Sequence, residues 1–117
     1  MPTMLPTEFA GVPVDGYGPG FFRVGGVVHH GRVIVHAEGV HAWGGLEDRA
    51  ALLALAGRVD VLFLGMGADI AFLPRALTAA VEEAGVMVEP MNSPSAARTY
   101  NVTLSEARRV ACALVPL

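Results

Sequence analysis

The sequence predicts an α/β domain that begins with β-hairpins and continues into a sheet with a parallel core. Before Trp43 the apolar residues alternate with a period of two, which is typical of strands. After Leu46 they recur at helical spacing. Between Val61 and Glu89 the pattern runs strand, helix, strand, and such crossover units make parallel neighbours in nearly all cases. These three observations favour an α/β fold over an all-helical or all-β one.

The length and composition of the chain predict one compact unit. Its 117 residues are 53% hydrophobic and 16% charged, which supplies enough apolar side chains for a core. Residues 1–20 contain four prolines and several glycines, a composition that prevents regular helix and favours turns. We therefore expect a single domain over residues 1–117, with an irregular leader and loop at 1–20 and the α/β core at 21–117.

The first part of the core is predicted to be antiparallel. Strands are predicted at Phe21 to Val24, Val27 to His29 and Arg32 to His36, with a further short strand from Val40 to Trp43. Gly25-Gly26 and His30-Gly31 have the composition of tight turns, so we expect the first three strands to be linked as hairpins.

Helices and strands alternate in the rest of the chain. Leu46, Leu52 and Ala56 share one face of a predicted helix that ends near Gly57. Val61 to Leu64 is apolar on both faces, as expected of a strand in the middle of a covered sheet. The remaining predicted elements are a helix from Pro74 to Gly85, a strand from Val86 to Glu89, a helix opened by Asn92 or Ser93 with Pro94, and a last strand from Val110 to Val115.

The net charge and the residue composition exclude several classes of function. A net charge of −3 gives no positive field for a phosphate backbone, so no nucleic-acid partner is expected. All eight cationic residues are Arg, and the lack of Lys excludes Schiff-base and Walker-type chemistry. The first residues resemble neither a signal peptide nor a transit peptide, and no run approaches the ~20 apolar residues of a membrane span. With its single cysteine, the protein is expected to be cytoplasmic, without direct membrane insertion.

Candidate binding residues follow the predicted central strand. In Gly65-Met66-Gly67 the glycines allow backbone N–H groups to turn toward an anion at the carboxyl end of the sheet. The alternative is a tight exit turn whose glycines only accommodate positive φ. The carboxylate of Asp69 lies close by in sequence and would repel an anion.

Arg98 and Asn101 form the second candidate binding group. They lie one turn apart near the start of the third helix, where they suit a carboxylate or a phosphate. The alternative is structural: Arg98 pairs with Glu89 or Asp60, and Asn101 caps a loop. If the strands are parallel, both groups reach one sheet edge, so we expect Arg98 and Asn101 to face a shallow cleft whose other wall is the turn that follows the central strand.

The sequence predicts no catalytic residue, metal or cofactor. Four histidines lie within thirteen residues, namely His29, His30, His36 and His41. No cysteine or closely spaced carboxylate completes a four-ligand set with them. Cys112 falls in an apolar strand, which predicts a buried and unreactive thiol. Ser93, Ser95 and Ser105 lack the Gly-x-Ser-x-Gly elbow of hydrolases.

Tyr17 and Trp43 are candidates for a partner interface. Both stand beside glycine-rich segments, and aromatic residues commonly anchor protein interfaces. The alternative is that they fill the core with Phe21 and Phe22. We expect one or two of these four aromatic residues to remain exposed.

Several motifs resemble those of one protein family. They are Gly16-Tyr17-Gly18, Phe22-Arg23-Val24, Trp43, Leu64-Gly65-Met66-Gly67, Glu89-Pro90-Met91 and Arg98-Thr99-Tyr100-Asn101-Val102. Their order over residues 12 to 115 resembles the small domain-of-unknown-function family that includes mitochondrial NADH:ubiquinone oxidoreductase (complex I) assembly factor 3 and the adipogenesis-associated domain protein. The resemblance implies a three-layer α/β domain around a mixed central sheet, with the last strand antiparallel to the others. Members often have Cys before the Arg, where this chain has Ala97, so no thiol role is carried over.

Two functions stay open at this point. The resemblance implies a non-catalytic interaction or assembly module that binds a protein partner. The candidate partners are respiratory-complex subunits and assembly factors. The alternative is a small-molecule or anion-binding protein, or an enzyme, that uses the cleft near Gly65, Gly67 and Arg98. The missing Lys and the missing nucleophile motif favour the first function over an enzyme.

Overall fold

The computed structural model describes residues 12–69, 73–106 and 108–117, which form two sheets and three helices. The first sheet consists of β1 (Val14–Gly18), β2 (Phe21–Val24) and β3 (Val27–His30). The second sheet consists of β4 (Val33–His36), β5 (Gly39–Ala42), β6 (Val61–Met66), β7 (Met87–Met91) and β8 (Val110–Val115). The helices are α1 (Arg49–Leu53), α2 (Arg75–Glu83) and α3 (Ser93–Ser105).

The second sheet is mixed, with β8 as its middle strand. Its order is β5, β4, β8, β6, β7. β6 runs parallel to both β7 and β8, while β4 runs antiparallel to both β8 and β5. The predicted mixed sheet with a parallel core is confirmed. The expectation that the last strand is antiparallel to the others is wrong with respect to β6. The reason is that α3 is a second crossover, which returns the chain to the edge where β6 begins.

Alternate residues of the second sheet pack into two separate cores. Val61 and Phe63 of β6 belong to the core shared with α3 and the first sheet. Leu62 and Leu64 belong to the core shared with α1 and α2. All six residues of β6 are buried, as predicted for a strand covered on both faces, but the middle strand of the sheet is β8 and not β6. The sheet is therefore the middle one of three layers.

β1 occupies a segment whose composition predicts an irregular loop, and that prediction is wrong for Val14–Gly18. β1 pairs antiparallel with β2. A Cβ on Gly18 would lie 2.5 Å from Phe21 Cε2, and a Cβ on Gly16 would lie 3.0 Å from Arg23 Nη2. The side chains of β2 thus pack over Gly16 and Gly18 of β1. Only a residue without a side chain leaves room for them there. Residues 1–11 of the predicted leader lie outside the described residues.

β3 and β4 belong to different sheets, so the hairpin predicted at His30-Gly31 does not form. All four residues of β4 are buried, which suits an internal strand, whereas β3 is mostly exposed. Gly31 has a φ of 86°, and its N–H donates to the Gly20 carbonyl at 3.0 Å. The turn therefore leads the chain from one sheet to the other.

The first helix is shorter than predicted. It begins at Arg49 and not at Leu46, because Asp48 Oδ1 accepts a hydrogen bond from the Ala51 N–H at 3.3 Å and caps the helix there. It ends at Leu53, and turns continue the chain from there to the next strand.

The other two helices begin close to the predicted positions. Pro74 is the N-cap of α2, so the first helical residue is Arg75. Asn92 is the N-cap of α3, and its Oδ1 accepts from the Ser95 N–H at 2.8 Å, which decides between Asn92 and Ser93. Within the described ranges, no helix has the length and hydropathy needed to cross a membrane.

Candidate functional site

The turn after β6 is closed by the first residue of α3. Gly67 has a φ of 93°, and its N–H donates to Ser93 Oγ at 2.9 Å. The Ser93 hydroxyl donates to the Val115 carbonyl at 2.6 Å, and the Ser93 N–H donates to the Gly67 carbonyl at 2.8 Å. The Gly67 N–H that an anion-binding nest at Gly65-Met66-Gly67 would offer is thus bound to Ser93, and this geometry favours the alternative of an exit turn in which Gly67 accommodates a positive φ.

Gly65 and Met66, at the end of β6, are buried next to the contact between this turn and Ser93. A Cβ on Gly65 would lie 2.8 Å from Ser93 Cα and 2.9 Å from Leu114 Cδ2, so only glycine lets α3 approach the strand this closely. Met66 is buried in the core that the sheet shares with α1 and α2. Both residues position the start of α3 and offer little surface to a ligand.

Asn101 binds the backbone of β1 with both ends of its amide. Its Oδ1 accepts from the Val14 N–H at 2.8 Å, and its Nδ2 donates to the Val14 carbonyl at 2.7 Å. The adjacent Tyr100 is fully buried, and its hydroxyl donates to the Val12 carbonyl at 3.2 Å. Burial raises the pKa of the Tyr100 hydroxyl, so it stays protonated. These bonds hold residues 12–14 against α3.

Arg98 is exposed on α3 and has no ion pair within residues 12–69, 73–106 and 108–117. Neither Glu89 nor Asp60, its predicted alternatives, is a partner, and Asp60 instead binds Arg109 Nη2 at 2.9 Å. The hydrogen bond that Arg98 does make, from Nη2 to Ser95 Oγ, is long at 3.4 Å. The guanidinium therefore keeps most of its donors available.

Arg98 and Asn101 line a shallow depression between β1 and the first turns of α3. Its volume is about 190 Å³, and Tyr17, Asp15 and Pro94 also line it. We call it the β1–α3 depression. The two predicted residues thus share a cleft, but its second wall is β1 and not the turn after β6. That turn is hydrogen-bonded to Ser93 at the start of α3, more than one helical turn away from Arg98.

Asp15, the acidic residue of the depression, is already paired. Its Oδ1 accepts from Arg23 Nε at 2.6 Å, and its Oδ2 accepts from the Gly26 N–H at 2.7 Å. The Arg23 guanidinium lowers the pKa of this carboxyl, while partial burial opposes the shift. Asp15 therefore does not compete with an acidic partner for Arg98.

The aromatic candidates divide between surface and core. Tyr17 is 48% exposed, whereas Trp43 is 4% exposed and its indole N–H donates to the Asp48 carbonyl at 3.4 Å. Phe22 is buried, and Phe21 packs edge-on against His30. The expectation that Trp43 belongs to an interface is corrected, since its ring fills the core beside α1. Tyr17 remains available to a partner.

The described part of the chain contains no group of three His, Cys, Asp or Glu side chains arranged to hold a metal. That the protein binds no metal and no cofactor stays a prediction. Cys112 is buried, as predicted, and burial raises the pKa of its thiol. A nucleophilic role for it is therefore disfavoured.

Ser93 is the functional position that sequence reasoning missed. The sequence Asn92-Ser93-Pro94 is a recognisable helix start, in which Asn92 and not Ser93 is the cap. The bond of Ser93 to Gly67, however, spans 26 residues of sequence, which no local pattern reveals.

The comparisons with known proteins come from sequence and from structure. The family model described as "Protein of unknown function (DUF498/DUF598)" matches residues 14–115. An uncharacterized protein of Rhodobacter capsulatus is 59% identical over 117 residues, covering 97% of this chain and 94% of that protein. NADH dehydrogenase (ubiquinone) 1 alpha subcomplex assembly factor 3 of Danio rerio is 28% identical over 114 residues, covering 92% of this chain and 66% of that protein.

A solved structure agrees with the fold. A crystal structure described as an outer membrane protein from Bartonella henselae matches with a TM-score of 0.82 and 32% identity, covering 92% of this chain and 98% of that chain. The family match confirms the resemblance that the motifs indicate. The chain belongs to the family described as Protein of unknown function (DUF498/DUF598).

Proposed function

We propose that this protein is a non-catalytic interaction or assembly module that binds a protein partner through the β1–α3 depression. Its proposed partners are subunits or assembly factors of respiratory complex I, and its proposed location is the cytoplasm. The partner class rests on the similarity to the Danio rerio assembly factor. The location rests on the sequence features described above.

The observation that carries the proposal is an exposed aromatic ring beside an arginine that makes no ion pair with any residue the structure describes. Tyr17 is 48% exposed and lines the same depression as Arg98. A tyrosine supplies a large contact area with few rotatable bonds, and tyrosine and arginine are enriched at the energetic centres of interfaces. The guanidinium offers a fork of donors that matches a carboxylate. The pair suits a partner segment with an acidic side chain next to an apolar one.

The depression is also preorganised. Asn101 fixes β1 to α3 through two hydrogen bonds to Val14, so both walls are held before a partner arrives. Binding then has little ordering entropy to overcome.

The rival function is a small-molecule or anion-binding protein, or an enzyme, that uses the cleft near Gly65, Gly67 and Arg98. Gly65 and Gly67 are buried, and the Gly67 N–H is bound to Ser93 Oγ. The turn at Gly65 and Gly67 therefore offers no accessible wall to a ligand bound at Arg98. For this reason we prefer the interaction module to the rival function.

Arg98 variants test the proposal. Arg98→Glu should reduce recovery of complex I subunits about tenfold in a cross-linked pull-down from the native cell, measured by quantitative mass spectrometry. Arg49→Glu is the matched control, because Arg49 is an exposed arginine of α1 and carries the same charge change. Arg98→Met should shift the free energy of unfolding by no more than about 0.5 kcal/mol.

Three results would count against the proposal. The first is equal recovery of the same subunits with Arg98→Glu and with the wild type. The second is a loss of several kcal/mol with Arg98→Met, which would mark the residue as structural. The third is stabilisation of the isolated protein by metabolites alone, which would favour the rival function.

A further inference from the structure

A groove beside the β4–β5 hairpin of the second sheet shares no lining residue with the β1–α3 depression. A cavity of about 330 Å³ lies between the β4–β5 hairpin and α1. A neighbouring cavity of about 240 Å³ shares His36, Glu38 and Arg58 with it and continues to Arg108 and Arg109 beside the start of β8. We call the two cavities together the His36 groove. The larger one falls at the lower end of the volume range of small-molecule sites.

The groove contains a buried histidine with a defined proton position. His36 is 5% exposed, and its Nδ1 accepts a hydrogen bond from the Glu38 N–H at 3.1 Å. A neutral ring with this contact carries its proton on Nε2. The hydrogen bond of His36 among the described residues uses Nδ1, and no buried side-chain nitrogen or oxygen there lacks a partner, so Nε2 is accessible from the groove. Burial, reinforced by the neighbouring His41 whose ring lies 5.1 Å away, lowers the pKa of His36 and keeps the ring neutral, so that Nδ1 stays an acceptor and Nε2 carries the one proton.

Positive charge exceeds negative charge around the groove. Arg58 is paired with Glu38, and Arg109 is paired with Asp60 at 2.9 Å. Arg108 makes no ion pair with any described residue. Three guanidinium groups thus face two carboxylates, a surplus of one positive charge on a chain whose net charge is −3. An anion is therefore favoured at this end of the groove.

The opposite end of the groove is apolar. Ile34, Ala51 and Leu55 line the larger cavity on the side of the sheet and α1. A ligand that fits both ends has an apolar body and one anionic group. A carboxylate matches the planar guanidinium fork, and a single surplus charge suits a monoanion better than a phosphate dianion.

We propose that the His36 groove binds a small monocarboxylate with an apolar body. The body lies against Ile34, Ala51 and Leu55. The carboxylate accepts from His36 Nε2 and from Arg58, where it competes with the carboxylate of Glu38.

Hexanoate is the probe that tests this proposal, with 1-hexanol and inorganic phosphate as comparison probes. Amide chemical shifts in two-dimensional NMR spectra should show saturable changes at Glu38 and Ala51 with hexanoate. Hexanol and phosphate should bind at least about tenfold more weakly, since each lacks one of the two recognised features. Equal affinity for hexanol, tighter binding of phosphate, or no saturable shift with hexanoate would each overturn the proposal.

Two variants with opposite expected effects complete the test. Arg58→Gln should weaken hexanoate binding about 10- to 100-fold, the factor for losing a charge-assisted hydrogen bond. Glu38→Gln should strengthen it about tenfold, because Arg58 is released from its internal partner. Arg75→Gln, at an exposed position of α2, is the control and should change nothing. If Arg58→Gln does not fold, an unchanged affinity in Glu38→Gln alone is enough to reject the site.

Discussion

At the scale of single residues, Asn101 holds the edge of a sheet. Val14 lies on β1, and its N–H and carbonyl both bond to the Asn101 amide. Edge strands with free backbone groups invite pairing with other chains. The Asn101 side chain therefore both fixes β1 to α3 and occupies backbone groups that a foreign strand could use.

Replacing Asn101 by Ala should lower the free energy of unfolding by about 1–3 kcal/mol, because two backbone groups of Val14 lose their partners. Urea denaturation measures the change. Val102→Ala is the control: this neighbouring side chain is 53% exposed, and its loss should cost no more than about 0.5 kcal/mol. Equal effects of the two substitutions would contradict the role assigned to Asn101.

The sequence indicates the polar pair Arg98 and Asn101 on α3, but not that one residue is structural and the other exposed. Helical spacing correctly places Arg98 and Asn101 in one depression. The spacing cannot show that Asn101 is fully used by Val14, which is 87 residues away. Arg98 remains exposed because no acidic residue in the described structure is positioned to pair with it.

At the scale of secondary-structure elements, Ser93 joins three of them. Its hydroxyl connects the turn after β6 to the end of β8, and its own backbone begins α3. The carboxyl edge of the parallel strands is therefore sealed by a side chain, at the position where many α/β proteins bind ligands.

Ser93→Ala should free the Gly67 N–H and the Val115 carbonyl and cost about 1–3 kcal/mol of unfolding free energy. Hydrogen exchange at the Gly67 amide should become faster at the same time. Ser95→Ala is the matched control, because among the described residues its hydroxyl accepts only the long 3.4 Å contact from Arg98. An unchanged rate of hydrogen exchange at the Gly67 amide in the Ser93 variant would argue against the role of Ser93 in joining these three elements.

Elements with strong local patterns were predictable, and elements defined by distant neighbours were not. β6 and β8 carry continuous apolar residues, and their predicted bounds agree with the structure to within two residues; for α3 the predicted start agrees. β1 escaped prediction because its glycines signal a loop unless Phe21 and Arg23 are known to cover them. The wrongly predicted β3–β4 hairpin has a similar cause. A glycine such as Gly31 is found both in hairpin turns and in connections that lead from one sheet to another, and the local sequence does not distinguish the two.

At the scale of the whole molecule, His36 links stability to pH. Burial, with the neighbouring His41, lowers the pKa of His36 below its ordinary value of 6.5. Below about pH 6.5 the unfolded chain therefore binds a proton that the folded protein resists. The free energy of unfolding should be highest above that pH and should fall as the pH drops toward the folded-state pKa.

Urea denaturation at about pH 7.5 and about pH 5.5 checks this expectation. In His36→Gln the difference between the two pH values should shrink, since the titrating group is gone. In His30→Gln it should persist, because His30 is exposed on β3. An undiminished pH dependence in His36→Gln would assign the effect to other groups.

The position of β8 has a practical consequence for measuring stability. β8 is the middle strand of the second sheet, and its Cys112 is 0% exposed and is the only cysteine of the chain. Cys112 belongs to the core shared with α3 and the first sheet, so a thiol reagent can reach it only when that core opens. Its labelling rate in native buffer should therefore follow the opening equilibrium of that core, and it can be measured in each variant described above. Labelling much faster than urea-derived stability allows would reveal that this core opens before the rest of the molecule unfolds.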